Sequence, residues 1–484
     1  MKKLTTMITL VSGLAFTGLA YSTERVELTD EQMDNLVMRT YPYVAMFNVN
    51  NKFALDESNP LNTGGYNQYR ANTELADHTL KAIARPNNDT LYGIAMVDVT
   101  EKPIVMEFPA FDSNYVSLMV TAYDHYVNVP MSVSQGDFSQ PSNILFYSER
   151  TPGYDGTPIK GVDQVFEVSG DFVNLTLRVM PHAAESERLV ANQAALSKVN
   201  LTTLPEFLGN QNADTELLAI DYSNSISRNL SVEEDSARFP EFGSDFQIFE
   251  ERFVEVMQFV VNHTTFDVND QADQALLKAL LPLGIKPGQA FNPQDAAHID
   301  GVAMRKAAQR FATASVNKLS DEDFLAANLT KVFMPKGEIS PELLALLSVV
   351  GPIGQPAQEA LYPQLVTNDG QVMNTMHDYE VVMSASEMPP AKAFWSLTLY
   401  DLNNGFFIPN EHKKYSVGEN AGYKLDEDGG IRIVVSAERP EGVPAENWLP
   451  IERSDLEVNM QMRLYNPDLE KYENWSAPTV RKIN

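Results

Sequence analysis

Hydrophobic positions change their period twice along this chain. From Thr90 to about Val179 they alternate in short runs: "TLYGIAMVDV", "PIVMEFP", "NYVSLMVTAYD", "NILFYS", "DQVFEVSG" and "NLTLRVM". Period-two alternation broken by Pro, Gly, Asn and Asp predicts short strands in an antiparallel sandwich. In "NYVSLMVTAYD", Val116, Leu118, Val120 and Ala122 share one face, and Tyr115, Ser117, Met119, Thr121 and Tyr123 the other. A strand with one core face has that pattern. From about Ala183 to Val350 the spacing becomes helical. "FQIFEERFVEVMQFVVNH" puts Phe246, Phe249, Phe253, Met257 and Val260 on one side, and "GVAMRKAAQRFATASVNKL" and "PELLALLSVV" fit helices with a buried face. The last third alternates again in "YEVVMSA", "AFWSLTLYD", "GIRIVVSA" and "LEVNMQMRLY", with Asp428-Gly429 as a tight turn.

The order β, α, β predicts a multidomain α+β protein with two sheet domains separated by a helical one. The expected division is 23–185 for the first sheet domain with leading helices, 186–352 for the helical domain and 353–484 for the second sheet domain. The leading helix starts after Thr29, with Met33, Leu36, Val37, Tyr41 and Val44 at helical spacing, and Pro42 is expected to kink or end it. A loop is expected over Asn59–Arg70 and a short helix in "NTELADHTLKAIAR".

The first twenty-odd residues follow a different rule. Two lysines precede an apolar stretch broken by small residues, and Ala20 and Ser22 suit cleavage after Ser22. Residues 1–22 thus read as a secretory signal peptide, which predicts a periplasmic or secreted protein. No later stretch approaches a membrane span. The chain has no cysteine, which excludes disulfides, thiolate ligands and cysteine nucleophiles. A formal charge of −29, spread without long acidic blocks, repels nucleic acid and anionic lipid at long range. No stable membrane insertion after signal removal and no nucleic-acid partner are expected. The composition leaves oligomerisation open.

Several stretches together resemble a known pair of domains. "RPNNDTLYG", "PIVMEFP", "NYVSLMVTAYDHYVN" and the arginine of "LTLRVM" resemble the domain of unknown function 1254. "FWSLTLYDLNNGFFIPNEHKKYSVG", "DGGIRIVVSAERP", "NWLP" and "MRLYNP" are similar to its partner, the domain of unknown function 1214. The resemblance implies an N-terminal immunoglobulin-like β-sandwich, a central α-helical domain and a C-terminal jelly-roll-like β-sandwich. It carries no reaction and no catalytic residues. The family pattern often has Ser after the Leu-Tyr pair, where this chain has Gly93.

Three polar clusters are candidates for chemistry. In "RPNNDTLY", Asn87, Asn88 and Asp89 favour a turn that launches a strand, while Arg85 could grip an anion through its planar fork, with Tyr92 beside it. In "YDHYVN", Tyr123 to Asn128, His125 and Asp124 are acid–base candidates at a strand end. Adjacent on a strand, they point to opposite faces and are not expected to pair. In "LYDLNNGFFIPNEH", Tyr400, Asp401, Asn404, Phe406 and Asn410 combine amides, a carboxylate and an aromatic plane, as glycan sites do. Asn403-Asn404-Gly405 is equally a hairpin turn. Trp395 and Trp448 read as core. The scattered histidines give no metal-ligand spacing, and neither a nucleophile elbow nor a phosphate loop occurs, so no metal and no cofactor are expected. The leading reading is an exported binding protein for a small molecule or glycan. The first alternative is an enzyme with hydrolase-type acid–base chemistry in an inter-domain pocket, using Asp89, Asp124, His125 or Asp401. The second is a structural component of the cell envelope. The residues leave the choice between enzyme and binder open.

Overall fold

Thr29 closes a capping box at the start of helix α1, Asp30–Leu55. Its hydroxyl accepts from the Gln32 amide, and the Gln32 side chain accepts from the Thr29 amide. This is a computed structural model, and it describes residues 26–210, 236–294, 296–351 and 353–483. The signal-peptide expectation falls on residues outside that set. Helix α1 continues through Pro42 to Leu55, against the expectation of an ending there. Proline removes one hydrogen bond, but Tyr41, Pro42, Tyr43 and Val44 are all buried, and their packing outweighs the loss.

From Thr40 to Phe47 every residue of α1 is buried, so this part of the helix is covered on all sides. Leu36, Val37, Val44 and Phe47 share one core with Phe249, Phe253, Met257 and Val260. The leading helix therefore packs among the central helices as well as on the sheet, which the division at residue 185 did not anticipate.

Nine strands follow: β1 Gln68–Asn72, β2 Leu91–Asp98, β3 Ile104–Phe108, β4 Val116–Thr121, β5 Val127–Ser132, β6 Ser142–Tyr147, β7 Gln164–Glu167, β8 Phe172–Val179 and, after helix α2 (Ser186–Leu196), β9 Asn200–Thr203. They form two sheets, ordered β1-β2-β8-β4-β5 and β7-β6-β3-β9. Val116, Leu118, Leu175 and Leu177 of the first sheet meet Ile104, Met106, Ile144 and Phe146 of the second in a shared core. Strand β9 lies beyond residue 185, yet it pairs with β3 and completes the second sheet. Strands β1, β5 and β9 carry too many polar residues, or a proline at the sheet edge, to show clean alternation.

The helix expected in "NTELADHTLKAIAR" does not form; the segment is turns and bends. Asp77 accepts from both the amide and the hydroxyl of Thr79, and His78 Nδ1 lies 2.7 Å from the Tyr415 hydroxyl. Local side-chain bonds and a distant partner win over a weak helical pattern.

Gly93 lies on β2 where a Cβ would come within 2.2 Å of the Tyr69 hydroxyl. That phenol donates to the Leu196 carbonyl, 3.1 Å away. Tyr69 thus occupies the space a serine side chain would need at this position. Gly93→Ser is expected to lower stability by about 1–3 kcal/mol through overpacking. Urea denaturation of Gly93→Ser beside Gly93→Ser/Tyr69→Ala checks it; a double variant no better than the single one would locate the strain elsewhere.

The central helices comprise α3 Leu204–Asn210, α4 Phe253–Asn262 with a π-helical turn before it at Ile248–Arg252, α5 Gln271–Leu280, α6 Gly301–Leu319 and α7 Pro341–Val350. The C-terminal part has short strands β10 Ala360–Leu361, β11 Gln364–Leu365 and β12 Met373–Asn374. Then come β13 Tyr379–Met383, β14 Ala391–Asp401, β15 Ser416–Gly418, β16 Ile431–Ser436, β17 Trp448–Pro450, β18 Glu457–Pro467 and β19 Arg481–Lys482. One sheet is built on β14 and β18, the other runs β17-β16-β13-β19, and both line a single core. The protein is mixed α+β with several antiparallel sheets. Among the described residues no helix is long and apolar enough to cross a membrane.

The second face of β4 decides where a site can sit. Every residue of the strand is buried, including Ser117, Met119 and Thr121. One end of that face is covered by the α1 core, which takes in Tyr123; the other end, with Tyr115, meets Phe394 and Tyr465 of the C-terminal sheet.

Candidate functional site

The loop Arg85–Thr90 is folded by its own amides. Asn87 Oδ1 accepts from the Asp89 amide at 2.6 Å, which turns the Asp89 carboxylate inward. Asp89 is 1% exposed. Its Oδ2 accepts from the Ser396 hydroxyl on β14 at 2.6 Å and from the Tyr465 hydroxyl on β18 at 2.9 Å. Asn87 Nδ2 donates to the same Tyr465 oxygen at 2.9 Å. Asn88 donates to the Ala76 carbonyl and accepts from Ser416. Arg463, also on β18, donates to Thr398, to the Tyr400 hydroxyl and to the Arg85 carbonyl. Tyr400 in turn donates to the Pro86 carbonyl at 2.6 Å. The loop is therefore the seam between the N-terminal and C-terminal sheets.

Beside the seam, β-pairing builds a polar row across the first sheet. Asn72, Tyr92, Arg178, Ser117 and Ser132 sit opposite one another on β1, β2, β8, β4 and β5. Arg178 stands at the centre of the row and is 6% exposed. Its Nη1 donates to the Tyr362 hydroxyl at 3.3 Å, and its guanidinium lies 5.5 Å from the centre of the Tyr92 ring. Its Nε is buried with no hydrogen-bond partner, and among the described residues it forms no ion pair with a carboxylate. Burial alone pulls its pKa down, but the phenol oxygens of Tyr92, Tyr362, Tyr115 and Tyr465 push it back above its ordinary value. The cation therefore persists in a cage of four tyrosines. Tyr115 and Tyr465 pack edge to face at 5.0 Å, and Phe394 stacks on Tyr465 at 4.0 Å. Tyr92 and Tyr362 are only half-buried and give this cage its side toward solvent.

Arg178 was not among the residues singled out as candidates, nor were Tyr115, Tyr362, Arg463 and Tyr465. One signal was available: "LTLRVM" and "MRLY" each set a lone arginine inside an apolar strand run. A charge at such a place faces either solvent or a partner.

The other candidates are dispersed. Arg85 is exposed with φ 51°, and its amide donates to the Gly405 carbonyl, so it holds a turn against a turn. Asp401 accepts from the Asn403 amide and from Asn404 Nδ2, while Asn410 closes a loop with both backbone groups of Lys414. Phe406 lies 4.5 Å from Lys81 Nζ. These residues brace the turn after β14. Asn128 accepts from the amide and hydroxyl of Ser169.

Tyr123, Asp124 and His125 are buried where β4 meets the helices. His125, at φ 68°, has Nδ1 2.8 Å from the Ser348 hydroxyl, whereas Asp124 accepts from the Tyr126 amide. They face different partners, but from a turn between β4 and β5 rather than from a strand as expected, because the left-handed backbone at His125 redirects its side chain. Asp124 titrates at about 6, raised chiefly by burial, while the Ser169 hydroxyl and nearby Lys336 act in the opposite direction.

The family model for proteins of unknown function DUF1254 matches residues 66–203, and that for DUF1214 matches residues 359–469. The VPA0106 protein of Vibrio parahaemolyticus, known from a crystal structure, is 20% identical, with a TM-score of 0.67 over 94% of this chain and 100% of that one. An uncharacterised protein from Burkholderia cenocepacia is 11% identical, with a TM-score of 0.43 over 94% and 93%. No curated protein matches the chain. The first likeness establishes a shared fold.

Proposed function

We propose that this chain, which belongs to the family carrying a DUF1254 domain followed by a DUF1214 domain, is a binding protein for a small organic carboxylate held between its β-sheets by Arg178. One observation carries the reading: a buried guanidinium with an unpartnered Nε and, among the described residues, no ion pair to a carboxylate. A buried charge without a counter-charge costs several kcal/mol unless something pairs with it. An arginine fork fits a planar carboxylate. The tyrosine walls add flat apolar area and hydroxyl groups, which favours a ligand with an apolar body. The Tyr465 hydroxyl is committed to Asp89, whereas the Tyr362 hydroxyl, which accepts from Arg178, keeps its own proton to donate.

The same reading takes residues 1–22 as a cleaved export signal and the protein as periplasmic or secreted. It takes the two-sheet units on either side of the helices as the immunoglobulin-like and jelly-roll-like domains. N-terminal sequencing of protein recovered from the cell envelope tests the export; Met1 retained on cytosolic protein would remove it.

Thermal shift of the purified protein with monocarboxylates, set against their uncharged amides, tests the ligand class. At about a hundred times the dissociation constant, a stabilisation of about 2.7 kcal/mol is expected for carboxylates only. Arg178→Met is expected to abolish it. Equal shifts with the amides, or an undiminished shift in the variant, would sink the assignment.

A further inference from the structure

Glu359 is a second buried polar group, on the other side of Tyr115 from Arg178, left without a full set of partners. It lies just before β10, is 4% exposed, and its Oε1 accepts from the Ser134 hydroxyl at 3.3 Å. Its Oε2 is buried with no partner. Burial raises its pKa, and hydrogen bonds from Ser132 and Ser134 oppose that shift. Ser132 is the last member of the polar row whose centre is Arg178. Two strand spacings of about 4.8 Å put their backbones about 10 Å apart.

The space between them is bridged by polar groups rather than by an ion pair. Ser117, the intervening residue of the row, donates to the Tyr115 hydroxyl at 3.0 Å and accepts from Gln355 Nε2 at 3.2 Å. Burial above all raises the Tyr115 pKa, Glu359 adds to that rise and Arg178 opposes it, so the phenol lies within reach of both charges. Tyr115 thus stands between a free guanidinium nitrogen and a free carboxyl oxygen. Among the described residues no hydrogen bond or ion pair joins Arg178 to Glu359, and a molecule with a polar group at each end would partner both.

We infer that Glu359 is the second anchor of the site, so that the bound carboxylate carries a hydroxyl, or an equivalent hydrogen-bonding group, at its far end. The inference rests on the assignment of Arg178 as carboxylate anchor. It narrows the ligand from any small acid to an acid with two polar ends and an apolar middle. The carboxylate meets Arg178, the body packs on Tyr115, Tyr465 and Tyr92, and the distal group bonds Glu359 Oε2. The distal hydroxyl donates where Glu359 is ionised and accepts where it is protonated, so a hydroxyl fits either state.

The test is isothermal titration with a ladder of ω-hydroxycarboxylates, each beside the unsubstituted monocarboxylate of equal chain length. One rung of the ladder is expected to bind about tenfold tighter than its parent in the unmodified protein. Glu359→Leu is expected to erase that preference while leaving the parent acid's affinity in place. Glu359→Gln, which keeps a hydrogen-bonding head, is expected to retain most of it. Arg178→Met is expected to weaken both ligands of each pair. Arg178-dependent binding with no rung preferred overturns the role of Glu359 alone, as does a preference that survives in Glu359→Leu. Failure of every acid to bind the unmodified protein overturns the carboxylate site itself and this inference with it. Should Glu359→Leu not fold, the rung preference in the unmodified protein and in Glu359→Gln still decides.

Discussion

Replacing Asp89 with alanine is expected to destabilise the protein by about 4 kcal/mol, more than any single exposed polar change could. The carboxylate receives two hydroxyls from one C-terminal sheet, Ser396 on β14 at 2.6 Å and Tyr465 on β18 at 2.9 Å. Hydrogen bonds to a charged group are each worth about 1.5–3 kcal/mol, and deleting the acceptor strands buried donors. Two such losses, partly offset by rearrangement of the hydroxyls, give the figure. Arg463 adds to it, because Asp89 is among the negative groups that hold its buried guanidinium charged. Asp89→Asn keeps the shape and one acceptor oxygen, and is expected to cost roughly half as much. Urea unfolding followed by tryptophan fluorescence checks both, since Trp395 neighbours Ser396 on β14. A change under about 1 kcal/mol for Asp89→Ala would show that the seam is held elsewhere.

The second large effect concerns pH. Asp124 titrates at about 6 and Glu419 at about 7, both raised first of all by burial. The folded state thus holds protons that the unfolded chain, with ordinary carboxylate values near 4, releases earlier. Wherever the folded state binds more protons, stability falls as pH rises. The loss begins near the ordinary carboxylate range and is complete above about pH 6 for Asp124 and about pH 7 for Glu419. A raise from 3.8 to about 6 amounts to about 3 kcal/mol for Asp124, and Glu419 contributes a similar amount.

Asp171 works the other way. Burial raises it, but bonds from His263, Arg150 and Ser148 bring it below its ordinary value, so its share of stability is lost as pH falls. That loss falls below the window in question. The melting temperature is therefore expected to be higher at pH 5 than at pH 8, and self-repulsion of a chain of charge −29 acts in the same direction. Asp124→Asn is expected to match the unmodified protein near pH 4 and to exceed it by about 3 kcal/mol at pH 8, provided the Tyr126 amide keeps an acceptor. Calorimetry across that range measures both. A profile that rises toward pH 8, or a variant no more stable there, would contradict the burial of a protonated Asp124.

Much of the architecture was legible in one dimension. Strands β2, β3, β4, β6, β7 and β8 and the long C-terminal strands coincide with alternating runs, because alternation is a local consequence of the pleat. Helices α6 and α7 coincide with their 3.6-residue stripes for the same kind of reason. The two faces of β4 were assigned to the correct residues, with Leu118 and Val120 facing one core and Tyr115 and Tyr123 the other side. What failed locally failed where distant partners intervene. The segment before Arg85 gave up its helix to Tyr415, and α1 passed through Pro42 because helices far along the chain bury it.

The candidate site was legible only as fragments. Asn87, Asp89 and Tyr400 meet at the seam between the sheets and Tyr92 lies beside Arg178, whereas Arg85, the expected anion holder, is exposed in a turn. The turn-forming chemistry of Arg85 to Asp89 is written in adjacent residues, whereas the cage around Arg178 on β8 draws on β2, β18, Tyr115 just before β4 and Tyr362. No window of sequence contains those residues together.

The sequence by itself determined the α+β composition, the order of sheet and helix, and the pairing of a DUF1254 with a DUF1214 segment. Backbone periodicity and turn chemistry act between near neighbours, so order along the chain suffices to express them. Only the tertiary structure decided which charges are left alone in the dark: Arg178 and Glu359 acquire their meaning from being buried beside tyrosines and serines supplied by other strands. Burial is a property of the packed surface around a group, and an unsatisfied charge exists only once that surface has closed over it.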